Sequence, residues 1–345
     1  MKSAGYGPRT ATSCRGRGRD CQDQQGTYFL ASYLFLPTSV SQPQVADKMS
    51  SSVAIVTGGG SGIGLGVTEH LINHHGYKVA IVDKDAKRAK EESDRLGSSN
   101  CLGIAGDITD YDVQCNAFVQ AFEWGGNRLD LVFLNAGIGD SDSLYKDTAL
   151  DPKTGLPKAL NLTTIDVNLS AVLQGVHLAR HFFTEKNSTP GGRIVITSSQ
   201  LGLYANPPVP LYTCSKHGLV GLVRACAPIY LKDRITINAI CPTLIRTNLM
   251  PSHITDEFHV PEQTTPMSTA LKAFDAVLAS DKLTGQTMEL ALDEVVFKQQ
   301  AEHETANGRW MLEQQFLWEK VMAGNMPREP GQNAAVVERP EKLRI

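Results

Sequence analysis

The sequence predicts an α/β fold, built as one doubly wound parallel sheet of about seven strands with helices on both faces. Short apolar runs alternate with amphipathic stretches between residues 53 and 292, the order expected of strands joined by crossover helices. The run 129–134 is almost entirely apolar, as a parallel strand covered on both faces should be. We therefore assign residues 51–322 to one α/β domain. Residues 1–50 are predicted to be a disordered N-terminal extension, and residues 323–345 a loose tail.

A glycine-rich turn follows the first predicted strand. The apolar run 53–56 leads into Thr57-Gly58-Gly59-Gly60-Ser61-Gly62-Ile63-Gly64, and residues 65–74 then carry apolar side chains at helical intervals. Glycines allow positive φ and a close ligand approach, while a helix N-terminus offers unpaired N–H groups and positive charge. The turn is a candidate pyrophosphate site, and an ordinary tight turn is the alternative.

An acidic residue ends the second predicted strand, residues 78–82. Asp83 lies nineteen residues after Gly64, the distance at which a dinucleotide site places an acid on the ribose 2′-hydroxyl. A carboxylate there repels a 2′-phosphate, so the sequence favours NAD over NADP. Two alternatives stay open, because Asp83 could cap the next helix and because nearby cations could accommodate a phosphate. These cations are Lys84, Lys87 and Arg88.

The third and fourth predicted strands, residues 101–105 and 129–134, each lead into a short polar segment. These segments are Gly106-Asp107-Ile108 and Asn135-Ala136-Gly137. Asp107 taken alone could cap a helix predicted at 111–122. Residues 140–158 are polar and contain two prolines, which predicts an extended loop.

A long amphipathic helix is predicted at 163–184, with Asn168 among apolar neighbours. Asparagine is mildly unfavourable inside a helix, so Asn168 requires an explanation. Bonding to a local carbonyl is the simplest.

The fifth predicted strand, residues 193–197, delivers Ser198 and Ser199 at its carboxyl end, where open α/β sheets bind ligands. A proline-rich loop then leads to a helix carrying Tyr212 and Lys216. Residues four apart share a helix face, so one ammonium can lie beside one phenol. Pro228 is expected to end or kink this helix.

Strands six and seven are predicted at 235–240 and 286–292. The sixth leads into Cys241-Pro242-Thr243-Leu244-Ile245-Arg246-Thr247. The chain from Asp293 is predicted to be helical to about residue 322.

These motifs in this order resemble the short-chain dehydrogenase/reductase family, most closely its NAD-dependent 15-hydroxyprostaglandin dehydrogenase-like branch. The resemblance spans about residues 52–292 and implies a Rossmann-type fold. Ser199 precedes Tyr212 by thirteen residues, the family interval, which favours it over Ser198. Thr243 departs from the family's usual glycine. The resemblance implies a catalytic set of Ser199, Tyr212, Lys216 and Asn168. It implies cofactor contacts at Thr57, Gly58, Ser61, Gly62, Ile63, Gly64, Asp83, Asp107, Ile108, Asn135, Ala136, Gly137, Tyr212, Lys216, Pro242, Ile245 and Thr247.

The resemblance implies hydride transfer between a secondary alcohol or ketone and NAD, with NADP possible. Tyr212 would take the hydroxyl proton, which requires its pKa of about 10 to fall by about 3. Lys216 and an oxidised nicotinamide carry charge of the right sign. Lys216 would also grip the nicotinamide ribose, Ser199 would bind the substrate oxygen, and Asn168 would hold a water in a proton relay.

Two other functions stay open from the sequence. One is an NADP-dependent carbonyl reductase of secondary-metabolite biosynthesis, and the other is a catalytically silent dinucleotide sensor or scaffold. Substrate identity is expected to depend on residues 140–158, 204–209 and 249–264. Apolar residues near these segments suggest a lipophilic substrate, with core packing as the alternative. They are Leu201, Leu203, Tyr204 and Leu249.

Composition narrows the class of protein. A net charge of −3 over 345 residues gives no reason to expect a nucleic-acid partner. The apolar stretch 28–36 is too short to span a bilayer. Seven scattered cysteines without a C-x-x-C pair suggest neither disulfides nor a metal site. We expect a cytoplasmic homodimer or homotetramer, or a mitochondrial protein if residues 1–48 are a transit peptide.

Overall fold

Eight short strands form one sheet in the order β3-β2-β1-β4-β5-β6-β7-β8. They are β1 (Val53–Thr57), β2 (Lys78–Asp83), β3 (Cys101–Ala105), β4 (Leu131–Leu134), β5 (Gly192–Thr197), β6 (Ile235–Pro242), β7 (Thr287–Ala291) and β8 (Glu294–Lys298). The first seven are parallel and β8 is antiparallel to β7. This computed structural model describes residues 51–146, 149–249 and 260–314. The predictions for residues 1–50 and 323–345 lie outside them.

Helices cover both faces of the sheet, as the sequence predicts. They are α1 (Gly62–His75), α2 (Ala86–Leu96), α3 (Tyr111–Trp124), α4 (Thr163–Ile165), α5 (Ala171–His181), α6 (Pro210–Tyr230), α7 (Met267–Leu278) and α8 (Ala306–Glu313). One face buries Phe118 against Phe182, with ring centroids 5.5 Å apart. The other buries Phe133 against Phe274 at 4.7 Å. The doubly wound, Rossmann-type prediction is confirmed.

The eighth strand corrects the prediction of a helix from Asp293. Leu292 takes a φ of 52°, which reverses the chain, and β8 then pairs Val295 with Leu290. Its residues are half-buried or exposed, as expected of a strand at the edge of the sheet. Of the helix predicted from Asp293 to about residue 322, the described residues contain α8 (Ala306–Glu313). The predicted end near residue 322 lies outside the described residues.

Two helices differ in detail from the predicted spans. The predicted helix 163–184 contains two π-helical turns, Asp166–Ser170 before α5 and Phe182–Lys186 after it. Pro228 does not end α6, which continues to Tyr230 before a 3₁₀ turn. Pro228 removes one N–H from the hydrogen-bond ladder, and only two residues of α6 follow it.

Within residues 51–146, 149–249 and 260–314, no helix has the length and apolarity needed to span a bilayer.

Candidate active site

A cleft with a volume of about 340 Å³ opens at the carboxyl ends of the strands. It lies where β1 is paired with β2 on one side and β4 on the other, the point at which strand order reverses and open α/β sheets bind ligands. Thirteen predicted cofactor residues line it. They are Gly58, Ser61, Gly62, Ile63, Asp83, Asp107, Ile108, Asn135, Ala136, Gly137, Tyr212, Lys216 and Thr247.

The glycine turn is shaped for close approach by an anionic group. Gly58 takes a φ of 64°, and a Cβ on Gly64 would lie 2.2 Å from the Gly58 carbonyl oxygen. Within the described range 51–146, the Ser61 side chain makes no capping hydrogen bond and the first turn of α1 has no acidic residue. The N–H groups and positive end of the helix dipole therefore face the cleft uncompensated, which fits a pyrophosphate.

Thr57 lies beneath the cleft and ties its strands together. Its Oγ1 accepts hydrogen bonds from the N–H groups of Asn135 at 2.9 Å and Ala136 at 3.2 Å. The Thr197 hydroxyl donates to Asn135 Oδ1 at 3.0 Å. These bonds fix the ends of β1, β4 and β5 relative to one another.

Asp83 is held at the cleft wall by the turn itself. Its Oδ2 accepts from the Gly60 N–H at 3.0 Å, and its Oδ1 accepts from the Asp85 N–H at 3.0 Å. Asp85, not Asp83, caps α2, since its carboxylate accepts from the Arg88 N–H. The alternative that Asp83 is the helix cap is therefore wrong.

Lys84 and Arg88 also line this end of the cleft. Lys84 forms an ion pair with Asp107 at 2.8 Å. The Lys84 hydrogen bond and those from Thr109 lower the pKa of Asp107 to about 2. The positive charge of Lys84 is thus already balanced by the Asp107 carboxylate.

Lys216 and Tyr212 meet at the other end. The Lys216 side chain is buried, and its Nζ donates to the Thr197 carbonyl at 2.9 Å and lies 5.4 Å from the Tyr212 ring centroid. Burial lowers the pKa of Lys216 to about 8. Burial raises the pKa of Tyr212, and hydrogen bonding with Ser199 opposes this rise. The protein's own side chains therefore do not produce the predicted lowering of the phenol pKa.

The two candidate serines have different environments. Ser198 is buried and its hydroxyl donates to the Lys216 carbonyl at 2.9 Å, which ties β5 to α6. The Ser199 Oγ accepts from the Leu201 N–H at 3.1 Å and interacts with the Tyr212 phenol. The structure therefore brings Ser199 to Tyr212.

Asn168 lies in the first π-helical turn and is buried. Its Nδ2 donates to the Ile138 carbonyl and its Oδ1 accepts from the Ile138 N–H, both at 2.8 Å. The partner is thirty residues away in sequence, so bonding to a local carbonyl does not explain this asparagine. Gly137, next to Ile138, lies close to both Asn168 Oδ1 and Lys216 Nζ.

The segment after β6 contributes one of its predicted residues to the cleft. Thr247 packs on the glycine turn, with its Cβ 3.1 Å from the position of a Cβ on Gly62. Pro242 and Ile245 are buried beneath the lining. Thr243 occupies the position of the family's usual glycine without backbone strain, because it does not have a positive φ. The described non-glycine residues with positive φ are Asn127, Arg234 and Leu292.

Asp140 is a site residue that the sequence did not reveal. Its Oδ1 accepts from the Tyr212 N–H at 2.5 Å and its Oδ2 from the Leu211 N–H at 3.3 Å. The carboxylate thus caps α6 from a loop seventy-two residues away. No local pattern could have indicated this contact.

Asp140→Ala is expected to lower kcat/KM by about fivefold, because loss of a cap costs about 1 kcal/mol and frees the first turn that carries Tyr212. Asp140→Asn should retain most activity, since asparagine caps equally well. Steady-state kinetics with a separate NADH titration checks this. Equal loss in both variants would show that charge, not capping, is the role of Asp140.

The sequence of the described domain matches a protein family directly. The family model described as short chain dehydrogenase matches residues 52–257. The chain belongs to the short-chain dehydrogenase/reductase family. It is therefore an NAD(P)-dependent oxidoreductase.

Individual members of the short-chain dehydrogenase/reductase family are similar over most of the domain. The dehydrogenase/reductase ascJ of Acremonium egyptiacum is 34% identical over 71% of this chain and 79% of its own. The dehydrogenase/reductase prx6 of Penicillium rubens is 30% identical over 69% and 79%. The NAD(+) 15-hydroxyprostaglandin dehydrogenase of Rattus norvegicus is 30% identical over 59% and 72%.

Solved structures share the fold of this short-chain dehydrogenase/reductase. A 3-ketoacyl-(acyl-carrier-protein) reductase from Brucella melitensis, complexed with NADH, is 23% identical with a TM-score of 0.57 over 70% of this chain and 96% of its own. Levodione reductase is 22% identical with a TM-score of 0.59 over 70% and 96%.

Proposed function

We propose that the protein interconverts a secondary alcohol and a ketone with NAD(H), using Tyr212, Lys216, Ser199 and Asn168. One observation carries this proposal. Tyr212 and Lys216 line one end of the cleft, Ser199 hydrogen bonds with Tyr212, and the glycine turn that suits a pyrophosphate lines the same cleft. A base and a dinucleotide site in one cleft are what alcohol oxidation requires.

The nicotinamide supplies the hydride acceptor or donor when NAD(H) is bound. In alcohol oxidation Tyr212 accepts the hydroxyl proton as the C–H hydride leaves the carbinol carbon, and in ketone reduction it returns that proton. Ser199 donates a hydrogen bond to the substrate oxygen and stabilises its developing negative charge. Lys216 holds its ammonium beside the Tyr212 ring and would donate hydrogen bonds to the ribose hydroxyls of a bound nicotinamide.

Tyr212 needs positive charge to act as a base near neutral pH. Burial raises its pKa, so a deprotonated phenol is unfavourable in the protein alone. The Lys216 ammonium and the positive charge of NAD⁺ both favour the phenolate. We infer that Tyr212 becomes a good base only in the loaded enzyme, which couples proton removal to cofactor binding.

Asn168 is proposed to position the backbone beside Tyr212 and Lys216. Its two hydrogen bonds to Ile138 fix the backbone next to Gly137, close to Lys216 Nζ. A water held there would connect Lys216 to solvent, which completes the proton relay that the family resemblance implies.

NAD is the proposed cofactor rather than NADP. The Asp83 carboxylate lines the cleft and is anchored by the Gly60 N–H, so it cannot easily move away from a 2′-phosphate. The three nearby cations that could accommodate a phosphate each have an acidic partner: Lys84 pairs with Asp107, Lys87 with Glu91 and Arg88 with Asp85.

The affinity for NADH is expected to fall as pH rises through about 8, where buried Lys216 loses its proton. A hydrogen bond from a charged donor is worth about 1.5–3 kcal/mol, so the dissociation constant should rise about tenfold between about pH 7 and about pH 10. NADH fluorescence titrations measure it. Lys216→Met should bind weakly at every pH. A pH-independent wild-type affinity would contradict this role of Lys216.

A lipophilic substrate is proposed because Leu249 lines the cleft and is 46% exposed. Tyr204 is also exposed, but its hydroxyl donates to Glu289 on β7 and it is not part of the cleft lining. Leu203 instead packs against the core, as the alternative reading of these residues predicted. Part of the segment expected to set substrate choice, residues 250–259, lies outside the described residues.

A screen of hydroxy fatty acids, steroids and polyketide-like ketones with NAD(H) and NADP(H) tests the proposal. Turnover with NAD(H) on at least one lipophilic compound is expected. Greater efficiency with NADP(H) would favour the carbonyl reductase. Tight NADH binding without any turnover would favour a silent sensor or scaffold.

A homodimer or homotetramer in the cytoplasm is also proposed. Family members assemble through the two helical segments that correspond to α5 and α6, where Leu173 and Ile229 are exposed. The five described cysteines are free, which suits a reducing compartment. Light scattering would determine the number of subunits, and a monomer would contradict the proposed homodimer or homotetramer.

A further inference from the structure

Two histidines and one carboxylate converge where α1 packs beside α7. The Asp275 Oδ1 lies 2.7 Å from His70 Nε2 and 2.9 Å from His75 Nε2. The two imidazole nitrogens are 3.3 Å apart. All three donor atoms thus lie within one coordination sphere. We propose that His70, His75 and Asp275 bind Zn²⁺.

The spacing of the donors fits tetrahedral coordination. With Zn–N bonds of about 2.0–2.1 Å, two ligands at the tetrahedral angle lie about 3.3 Å apart. The two nitrogens already have this separation, while Asp275 Oδ1 must withdraw by about 0.5 Å. The Asp275 side chain is 49% exposed, so it can rotate by that amount without displacing a helix.

The local charge also favours a cation. Helix α1 ends at His75, and Gly76 follows as its C-cap. The negative end of a helix dipole stabilises positive charge within the last turn, and Asp275 adds a full negative charge. Imidazole ligands suit zinc and other late first-row metals, whereas calcium and magnesium prefer oxygen ligands. Exposure of His75 and Asp275 leaves room for water as a fourth ligand.

The cysteine pattern predicted no zinc site, and these ligands could not be recognised from sequence. His70 and Asp275 are separated by 205 positions. Along helix α1, His70 lies about 12 Å and His75 about 20 Å from Gly62 at 1.5 Å per residue, and none of the three ligands lines the cleft. Zinc would therefore join α1 to α7 without touching the cleft.

Calorimetric titration of Zn²⁺ into the untagged, metal-stripped and reduced full chain tests the proposal. The variants are His75→Gln and Asp275→Asn, with His74→Gln as the matched control. His74 lies on the same helix, with its ring centroid 5.0 Å from that of His70, but outside the donor cluster. Wild type and control should bind one more Zn²⁺ than the other two variants, or bind it about 100-fold more tightly.

Two further readouts make the result independent of thiol binding and misfolding. Co²⁺ should give the intense d–d absorption of four-coordinate cobalt in wild type and His74→Gln, but not in His75→Gln. Zn²⁺ at about 100 times its dissociation constant should raise the wild-type Tm by about 5 °C. NADH binding by every variant verifies folding. Equal Zn²⁺ uptake by all four proteins, or none by wild type, would overturn the proposal and leave a hydrogen-bonded cluster.

Discussion

Replacing Tyr212 with phenylalanine is expected to lower kcat/KM by about 10³-fold, because general acid–base groups contribute about 10²–10⁴-fold. The substitution removes one oxygen and leaves a ring of the same shape beside Lys216. NADH affinity should change by less than about twofold, since Lys216 still donates to Thr197 and the glycine turn is untouched. Steady-state kinetics and a fluorescence titration separate the two effects.

Tyr230→Phe is the matched control for this prediction. Tyr230 is the last residue of the same helix, about 27 Å along it from Tyr212, and lies next to Cys226. It should retain wild-type turnover. Near-normal activity in Tyr212→Phe would refute the assignment of the base, whereas loss of NADH binding in the same variant would mean that the phenol has a structural role.

Replacing Asp83 with serine is expected to reverse the cofactor preference. Like charges about 4 Å apart repel by about 4 kcal/mol near a protein surface, so removal of the carboxylate should raise kcat/KM with NADP by about 10³-fold. Loss of a charged acceptor for the ribose hydroxyl should lower kcat/KM with NAD by about tenfold. Kinetics with both cofactors on one substrate measures both changes.

Asp110→Ser controls for loss of a helix-capping carboxylate near the cleft. Asp110 caps α3, serine is an equivalent cap, and Asp110 does not line the cleft, so this variant should keep the wild-type preference. A wild-type enzyme that already favours NADP, or an Asp83→Ser variant with unchanged preference, would show that Arg88 and Lys84 decide the cofactor instead.

The central sheet and most of the cleft could be predicted from sequence because their signals are local. The strand, glycine turn and helix from Val53 to His75 are contiguous, so each predicted turn residue follows the strand that delivers it. Most of the thirteen predicted cofactor residues that line the cleft directly follow a predicted strand in the same way. The pairing of Tyr212 with Lys216 is equally local, since both lie on one face of α6.

The features that sequence did not predict depend on contacts between distant segments. Asp140 caps a helix in another part of the chain, and Asn168 bonds Ile138 across the cleft floor. Strand β8 begins the mostly polar C-terminal segment that the sequence predicts to be helical, and only its pairing with β7 defines it as a strand. The pKa of Tyr212 depends on burial, which the spacing of Tyr212 and Lys216 does not reveal.

A crystal structure with NAD⁺ bound tests the central claim most directly. We expect the pyrophosphate over residues 58–64, the adenosine ribose hydroxyls on Asp83, and the nicotinamide ribose within hydrogen-bond reach of Lys216. The Tyr212 hydroxyl should then face the nicotinamide side of the cleft beside Ser199. A nicotinamide bound away from Tyr212 and Lys216, or a dinucleotide bound outside the glycine turn, would contradict the account.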